Sequence, residues 1–305
     1  MNISLESLRR KGFVFCFHEA MKRLSPLWWT KSNVAIDAIY AHRTYRYLRR
    51  RYSSLAQQPL APMSANMQAP KKIWICWLQG FEQAPEIVKK CVASVEKYCH
   101  EFEIIRLDAK NMYDYASLPE QIKKRFDAGR IPFAHFTDVL RTAILVEHGG
   151  IWVDATVLLT APISESILNE PCFMFQNPKP FQLPHATSNW FIVSAKAHPL
   201  MQRQLELLCD FWKRERGLID YFMYYILFYI LITENEEAKE FFDKMLYIPN
   251  TDARILQALL TQPYNKKEWC QVCNLTPIHK LNWKISEEDL SKQGTYLDFI
   301  LRRTN

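Results

Sequence analysis

Glycine is scarce in this sequence, with seven residues among 305. Neither G-x-G-x-x-G nor G-x-x-x-x-G-K-[ST] occurs, so there is no dinucleotide fingerprint and no Walker loop. Phosphate cradled by glycine backbone is therefore disfavoured. Long apolar runs are missing too. The longest, LIDYFMYYILFYILI at 218–232, has fifteen residues and contains Asp220. That is short of the roughly 20 apolar residues a spanning helix needs, and a buried core helix is expected instead. No secretory leader is expected: FVFCF follows the basic residues Arg9–Lys11 but is too short and lacks a small-residue cleavage site. A second cysteine pair near Cys270 and Cys273 is absent, which leaves that C-x-x-C as half a zinc site. Eight cysteines without a leader suit a reduced, cytoplasmic setting.

What is present is a globular composition with an uneven charge. Hydrophobic residues make up 49%, enough for a substantial core, and charged residues 23%. The net charge is +7, yet the basic excess lies within residues 1–51. The remaining chain is close to neutral and slightly acidic. Helices are expected over 3–30 and 33–52. In the second, Arg43, Arg46 and Arg50 recur at helical spacing near Tyr40 and Tyr47, a stripe suited to an anionic membrane surface. Residues 53–70 carry no charge and three prolines and read as a linker. The expected division is a basic helical arm (1–52), a linker (53–70) and a main domain (71–305).

The main domain opens with KKIWICWLQG, a continuous apolar run ending at Gly80, as in a strand buried on both faces. A helix is expected near 85–99, a strand at 102–107, helices near 119–128 and 133–148, then the strand IWVD with TVLLT beyond it. Further strands are expected at 172–176 and 190–194, with helices prevailing from 198 to 262. Strands alternating with helices argue an α/β domain with a mainly parallel sheet. In such sheets ligands bind beyond the carboxyl ends of the strands. Gln79 and Gly80, Asp108 and Asp154 all fall at such ends.

The most informative segment is FAHFTDVLRTAILVEHGGIWVDAT, 133–156. Asp138 and Arg141 are three apart on the expected helix and so share a face. Arg141 offers a planar fork to hydroxyls or phosphate; Asp138 accepts hydroxyl protons. The helix stops at a glycine pair and the chain runs straight into the strand that delivers Asp154. Helix face and strand end thus converge on one ligand.

TDVLRTAILVEHGGIWVDAT resembles the S/T-D-x-x-R…GG-I-[YW]-x-D-x-D core of GT-A glycosyltransferases related to glycosyltransferase family 32. The chain is more similar still to the capsular polysaccharide synthesis protein family, through IWICWLQG, SNWFI, DYF and IHKLNWK, over about residues 71–284. The resemblance implies a GT-A-like fold: a Rossmann-like, mainly parallel sheet flanked by helices, with a helical N-terminal arm and a helix-rich C-terminal half. It implies transfer of a hexose from a nucleotide sugar, most simply a UDP-sugar, with retention at the anomeric carbon. The acceptor would be a lipid-linked oligosaccharide of a capsular or other cell-surface polysaccharide. The arm would hold the protein peripherally at the inner face of the membrane.

By the same resemblance, Trp77 stacks on the nucleotide base, and Gln79 lies beside it at the strand end. Asp138 and Arg141 hold the donor sugar, Asp154 contacts the nucleotide and places a divalent cation, and Asn189 reaches the sugar. His279 and Lys280 close over the diphosphate. Asp220 is either a helix-start acid or an acceptor-binding base.

The sequence departs from the D-x-D pattern at Thr156, a weak ligand for a hard cation. Three arrangements remain open. A cation, Mn2+ or Mg2+, is held chiefly by Asp154 with the donor, Thr156 beside it; a later acid replaces the missing ligand; or His279, Lys280 and Arg141 carry the charge without metal. The first is the expectation. A non-catalytic sugar-nucleotide- or glycan-binding protein with a degenerate motif is the alternative function. A nucleic-acid partner is not expected, since the main domain is slightly acidic and shows no recognition motif.

Overall fold

The computed structural model describes residues 33–64, 67–178 and 184–302. The helix expected at 3–30 lies outside these residues. Among the described residues seven strands form two sheets: β1 (Lys72–Cys76), β2 (Glu103–Leu107), β3 (Gly150–Val153), β4 (Val157–Leu159), β5 (Cys172–Gln176), β6 (Thr187–Ser194) and β7 (Ile278–Lys280). The central sheet has the order β2-β1-β3-β6-β5 and the second pairs β4 with β7. β2, β1 and β3 are parallel, β6 is antiparallel to β3, and β5 is antiparallel to β6. Four of the five central strands therefore point one way, and β6 alone is reversed. This is the mixed α/β architecture with a mainly parallel sheet that the strand–helix alternation suggests.

Alternation along the strands divides the core in two. Ile73, Ile75, Ile151, Val153, Phe173 and Phe175 face one side, while Trp74, Cys76, Trp152 and Met174 face the other. Six helices matter for the site: α1 (Asn33–Ala56), α2 (Glu86–Tyr98), α3 (Glu120–Asp127), α4 (Phe133–His148), α5 (Pro199–Arg214) and α6 (Met223–Glu234). α2 buries Ile87, Val88, Cys91, Val92 and Val95 against the first side, an i, i+4, i+8 stripe following Pro85. α1, α4, α5 and α6 cover the second. α6 is apolar all round and buries Met223, Tyr224, Ile226, Leu227, Phe228, Ile230 and Leu231. No helix among the described residues is long and apolar enough to cross a membrane.

The free linker expected over 53–70 is corrected for its first part. α1 runs on to Ala56, and its buried stripe of Ala41, Thr44, Leu48, Tyr52 and Ala56 joins the main domain. Asn235 Nδ2 donates to the carbonyls of Ala56 and Gln58, both at 2.9 Å. Arg203 clamps those of Leu55 and Pro59, both at 2.8 Å. An uncharged, proline-bearing segment resembles a spacer in composition, but here buried side chains from elsewhere satisfy its carbonyls. Arg43, Arg46 and Arg50 remain exposed on the outer face of α1.

The glycine pair joins α4 to β3 by close approach. Gly149 caps α4 at φ 69°, and its carbonyl accepts from Trp74 Nε1 at 2.8 Å. Gly150 has φ +103°, and a Cβ there would lie 2.6 Å from the Lys72 carbonyl oxygen of β1. Only glycine fits between the strands at that angle.

Candidate active site

The carboxyl ends of β1 and β3, the first half of α4, the middle of β6 and the end of β7 surround a cavity of about 680 Å³. α4 contributes Asp138 and Arg141, 7% and 6% exposed. Their i, i+3 spacing does put them on one face, and Arg141 Nη2 lies 3.3 Å from Asp138 Oδ1. Arg141 Nη1 extends further and donates to Asp154 Oδ1 at 3.0 Å and to the carbonyl of Asn189. One guanidinium therefore bridges helix, strand end and β6. The indole of Trp152 completes the arrangement. Its Nε1 donates to the same Asp154 oxygen at 3.0 Å, and its ring underlies the guanidinium at 5.0 Å, a favourable cation–π contact.

Lys280 closes the other side of Asp154. Its Nζ is 3.0 Å from Asp154 Oδ2 and donates to the Thr156 hydroxyl. The β4–β7 ladder holds it there: Val157 pairs with Lys280, and the Leu281 N–H donates to the Thr156 carbonyl at 2.9 Å. Burial alone would raise the pKa of Asp154, but Lys280 and Arg141 outweigh burial and hold it below the ordinary carboxylate value. For Arg141 burial opposes the charge, and Asp154 and Asp138 more than restore it. Asp154 and Arg141 therefore both stay charged at neutral pH.

The walls are aromatic. Trp77 and Trp283 meet edge to face, with centroids 5.5 Å apart, and Gln79 lines the cavity beside them. Across it stand Phe133, Tyr221 and Phe222, at the rim and exposed. Arg254 and Lys284 also line the cavity. Its lining therefore carries four Lys and Arg side chains against two carboxylates, a surplus that suits an anionic ligand.

Three sequence expectations need correction. His279 does not face the cavity. It is fully buried, its Nε2 lies 3.2 Å from the Thr160 hydroxyl, and burial pushes its imidazole down to about 4. Neighbouring residues of a strand point to opposite faces, so the strand that presents Lys280 turns His279 into the core. Asp220 does not line the cavity either. Its Oδ1 accepts from the Phe222 N–H at 2.8 Å and its Oδ2 from the Thr44 hydroxyl at 3.2 Å, so it fixes the turn that leads to α6. Asp108, though at a strand end, accepts from the N–H groups of Lys110 and Asn111 and borders a separate, smaller cavity. Asn189 does line the site, but its amide is taken up within the protein: Nδ2 donates to Asp138 Oδ1 at 2.7 Å and Oδ1 accepts from Tyr225 at 2.6 Å. It orients Asp138.

The expected cation held by Asp154 and Thr156 does not fit these donors. Asp154 has a cationic group 3.0 Å from each oxygen, and the Thr156 hydroxyl already receives Lys280. Among the described residues no three His, Cys, Asp or Glu side chains come together as a ligand set. Bringing a divalent ion within 4 Å of the ammonium would cost roughly twice the ~4 kcal/mol of a unit-charge pair at an effective dielectric of 20.

Tyr225, Arg254, Trp283 and Lys284 went unassigned in the sequence. Trp283 and Lys284 lie inside IHKLNWK and carried a usable signal. Arg254 had none.

The family described as "Capsular polysaccharide synthesis protein" matches residues 25–300. Among solved structures, one titled "PaToxG Glycosyltransferase" is similar at 12% identity, covering 87% of this chain and 96% of that one, with a TM-score of 0.39. Another, titled as a transferase with two cysteine-to-serine substitutions, shows 10% identity over 70% of this chain and 96% of its own, with a TM-score of 0.34. Scores this low transfer neither fold nor chemistry. No curated protein matches the chain.

Proposed function

The chain belongs to the capsular polysaccharide synthesis protein family, and on that footing we propose that it is a glycosyltransferase that moves a hexose from a nucleotide sugar, a UDP-sugar in the simplest case, to a lipid-linked glycan of a capsular or other surface polysaccharide. The observation that carries the reading is the charged chain Asp138–Arg141–Asp154–Lys280, set in a cationic cavity with an aromatic wall. Such a cavity suits a ligand with a flat base, a sugar and a diphosphate. Trp77 and Trp283 offer faces and edges to the base. Asp138, aimed by Asn189, accepts from sugar hydroxyls.

In the transfer, the acceptor hydroxyl oxygen bonds to the anomeric carbon as the anomeric C–O bond to the diphosphate breaks. The electron pair stays on the diphosphate oxygen, and the hydroxyl proton passes to the departing diphosphate. Cationic donors fixed in advance stabilise that developing charge, and Arg141 and Lys280, which both line the cavity, supply them in this reading. The sugar is delivered with retention. The exposed arginines of α1 hold the protein at the inner face of the membrane, where lipid-linked acceptors reside.

The test is a panel of UDP-, GDP- and dTDP-sugars incubated with purified protein, with release of nucleoside diphosphate as the readout. One nucleotide class should be hydrolysed slowly by the native chain and not by Arg141→Ala. Thermal stabilisation by sugars or glycans, with no nucleotide sugar bound or cleaved, would establish the binding-protein alternative instead.

A further inference from the structure

Lys280 occupies the space between Asp154 and Thr156, the two residues to which the resemblance assigns a divalent cation. Its ammonium lies between the first and third positions of Asp154-Ala155-Thr156, 3.0 Å from Asp154 Oδ2 and donating to the Thr156 hydroxyl. Its side chain is only 15% exposed, and it lines the same cavity as Arg141 and Trp77. We propose that this lysine is a built-in cation, and that the site takes a nucleoside diphosphate without any metal. The inference rests on the nucleotide-sugar reading of the cavity and goes beyond it to how the diphosphate is held.

Three observations support it. First, the position is built into the fold. Lys280 ends β7, whose partner β4 begins one residue after Thr156, and the ladder continues through the Leu281 N–H to the Thr156 carbonyl. An ammonium at a strand end fixed on both sides is preorganised, and a fixed cation needs no reorganisation when charge develops on the leaving oxygen. Second, the threonine has a role that a carboxylate would spoil. An ammonium has three N–H donors. One is met by Asp154, one by the neutral Thr156 hydroxyl, and the third has no partner among the described residues. A second carboxylate at 156 would neutralise the charge the diphosphate needs; a hydroxyl orients the ammonium and leaves its charge available. Third, the surplus of Arg and Lys over carboxylates in the lining already offers the positive charge that a metal brings elsewhere. The hydroxyl at 156 and the ammonium at 280 act as one unit.

The experiment is calorimetric titration of UDP, GDP and dTDP into the full chain, once in EDTA and once in Mn2+. One nucleotide should bind with the same affinity in both. Lys280→Ala should weaken that binding about tenfold or more, the worth of a charged hydrogen bond, in either buffer. In Lys280→Ala/Thr156→Asp the vacated space gains a second carboxylate, and binding should recover only with Mn2+. Native binding that vanishes in EDTA and returns with Mn2+ would overturn the built-in cation while leaving the nucleotide reading intact. No nucleotide bound in either buffer would overturn both. Should the variants fail to fold, the comparison of buffers on the native chain decides alone.

Discussion

Arg141 and Asp154, thirteen residues apart, meet at 3.0 Å across the turn between α4 and β3. The pair ties the helix that bears Asp138 to the strand end that faces the cavity. Removing the guanidinium leaves the buried Asp138 without its cation and the partly buried Asp154 with Lys280 alone, and breaking a buried pair from one end costs about 3–5 kcal/mol. Arg141→Met should therefore lose stability on that scale in urea denaturation. Arg141→Lys keeps one charge but cannot span Asp138, Asp154 and the Asn189 carbonyl together. Its stability should fall less, while donor cleavage drops by about two orders of magnitude, the scale of one lost transition-state donor. Full activity in Arg141→Lys would reduce the bridge to a structural strut.

Gly150→Ala tests the close approach of β1 and β3. The new methyl would meet the Lys72 carbonyl oxygen at 2.6 Å, at a φ that side chains rarely adopt. The expected cost is about 2 kcal/mol or more, read as a lowered denaturation midpoint. Loss of nucleotide binding should accompany it, because β3 leads directly into Asp154. A variant as stable as the native chain would mean that the strands can part without penalty.

Acid sensitivity should follow from His198. This residue, 2% exposed, caps α5, with its Nδ1 accepting from the Leu200 N–H at 3.3 Å, and burial pushes its imidazole down to about 4 from 6.5. The unfolded chain takes up a proton as the pH falls through 6.5, and the folded chain does not until about 4. Stability is therefore complete above 6.5 and lost progressively down to about 4. The loss is about 1.4 kcal/mol for each pH unit between those two values. His279 contributes in the same direction. His198→Asn keeps a side-chain acceptor at the cap and should flatten the loss over that window by about one proton. An unchanged slope would mean that the ring is protonated in the folded state.

Asp220→Asn separates the two roles once open to this acid. Its carboxylate caps the Phe222 N–H and receives Thr44. The change should cost about 1 kcal/mol of stability and leave transfer within a few-fold of normal. A collapse of transfer with an unchanged denaturation midpoint would return Asp220 to the reaction.

The exposed stripe of Arg43, Arg46 and Arg50 should matter at an anionic surface. Each arginine there is worth about 1 kcal/mol and is screened by salt. Charge reversal at all three should abolish sedimentation with phosphatidylserine vesicles at low salt and leave donor cleavage intact. Equal sedimentation by the native and reversed chains would assign the basic excess to something other than a membrane.

The sequence disclosed those parts of the site that short-range periodicity controls. Asp138 and Arg141 share a face because a helix repeats about every 3.6 residues, and Asp154 ends a strand because the apolar run before it stops there. Trp152 was legible in IWVD only as part of a strand; its donation to Asp154 depends on a rotamer. His279 was misassigned because adjacency in sequence is opposition in a strand. Tyr225 was hidden in an apolar run whose helix is apolar all round, where periodicity singles out no face. The meeting of Lys280 with Thr156 spans 124 positions, a distance over which no local pattern in a single sequence speaks.

That span also sets an order of events. Chains fold from the N-terminus as they emerge from the ribosome, and contacts distant in sequence close late. Helix α4, β3 and the bridge from Arg141 to Asp154 can be in place while β4 still lacks its partner strand. Until residue 280 has been synthesised, Asp154 has only one of its two cationic neighbours and the cavity has no far wall. The pairing of β7 with β4, and with it the second cation on Asp154, is thus among the last contacts of the cavity to close.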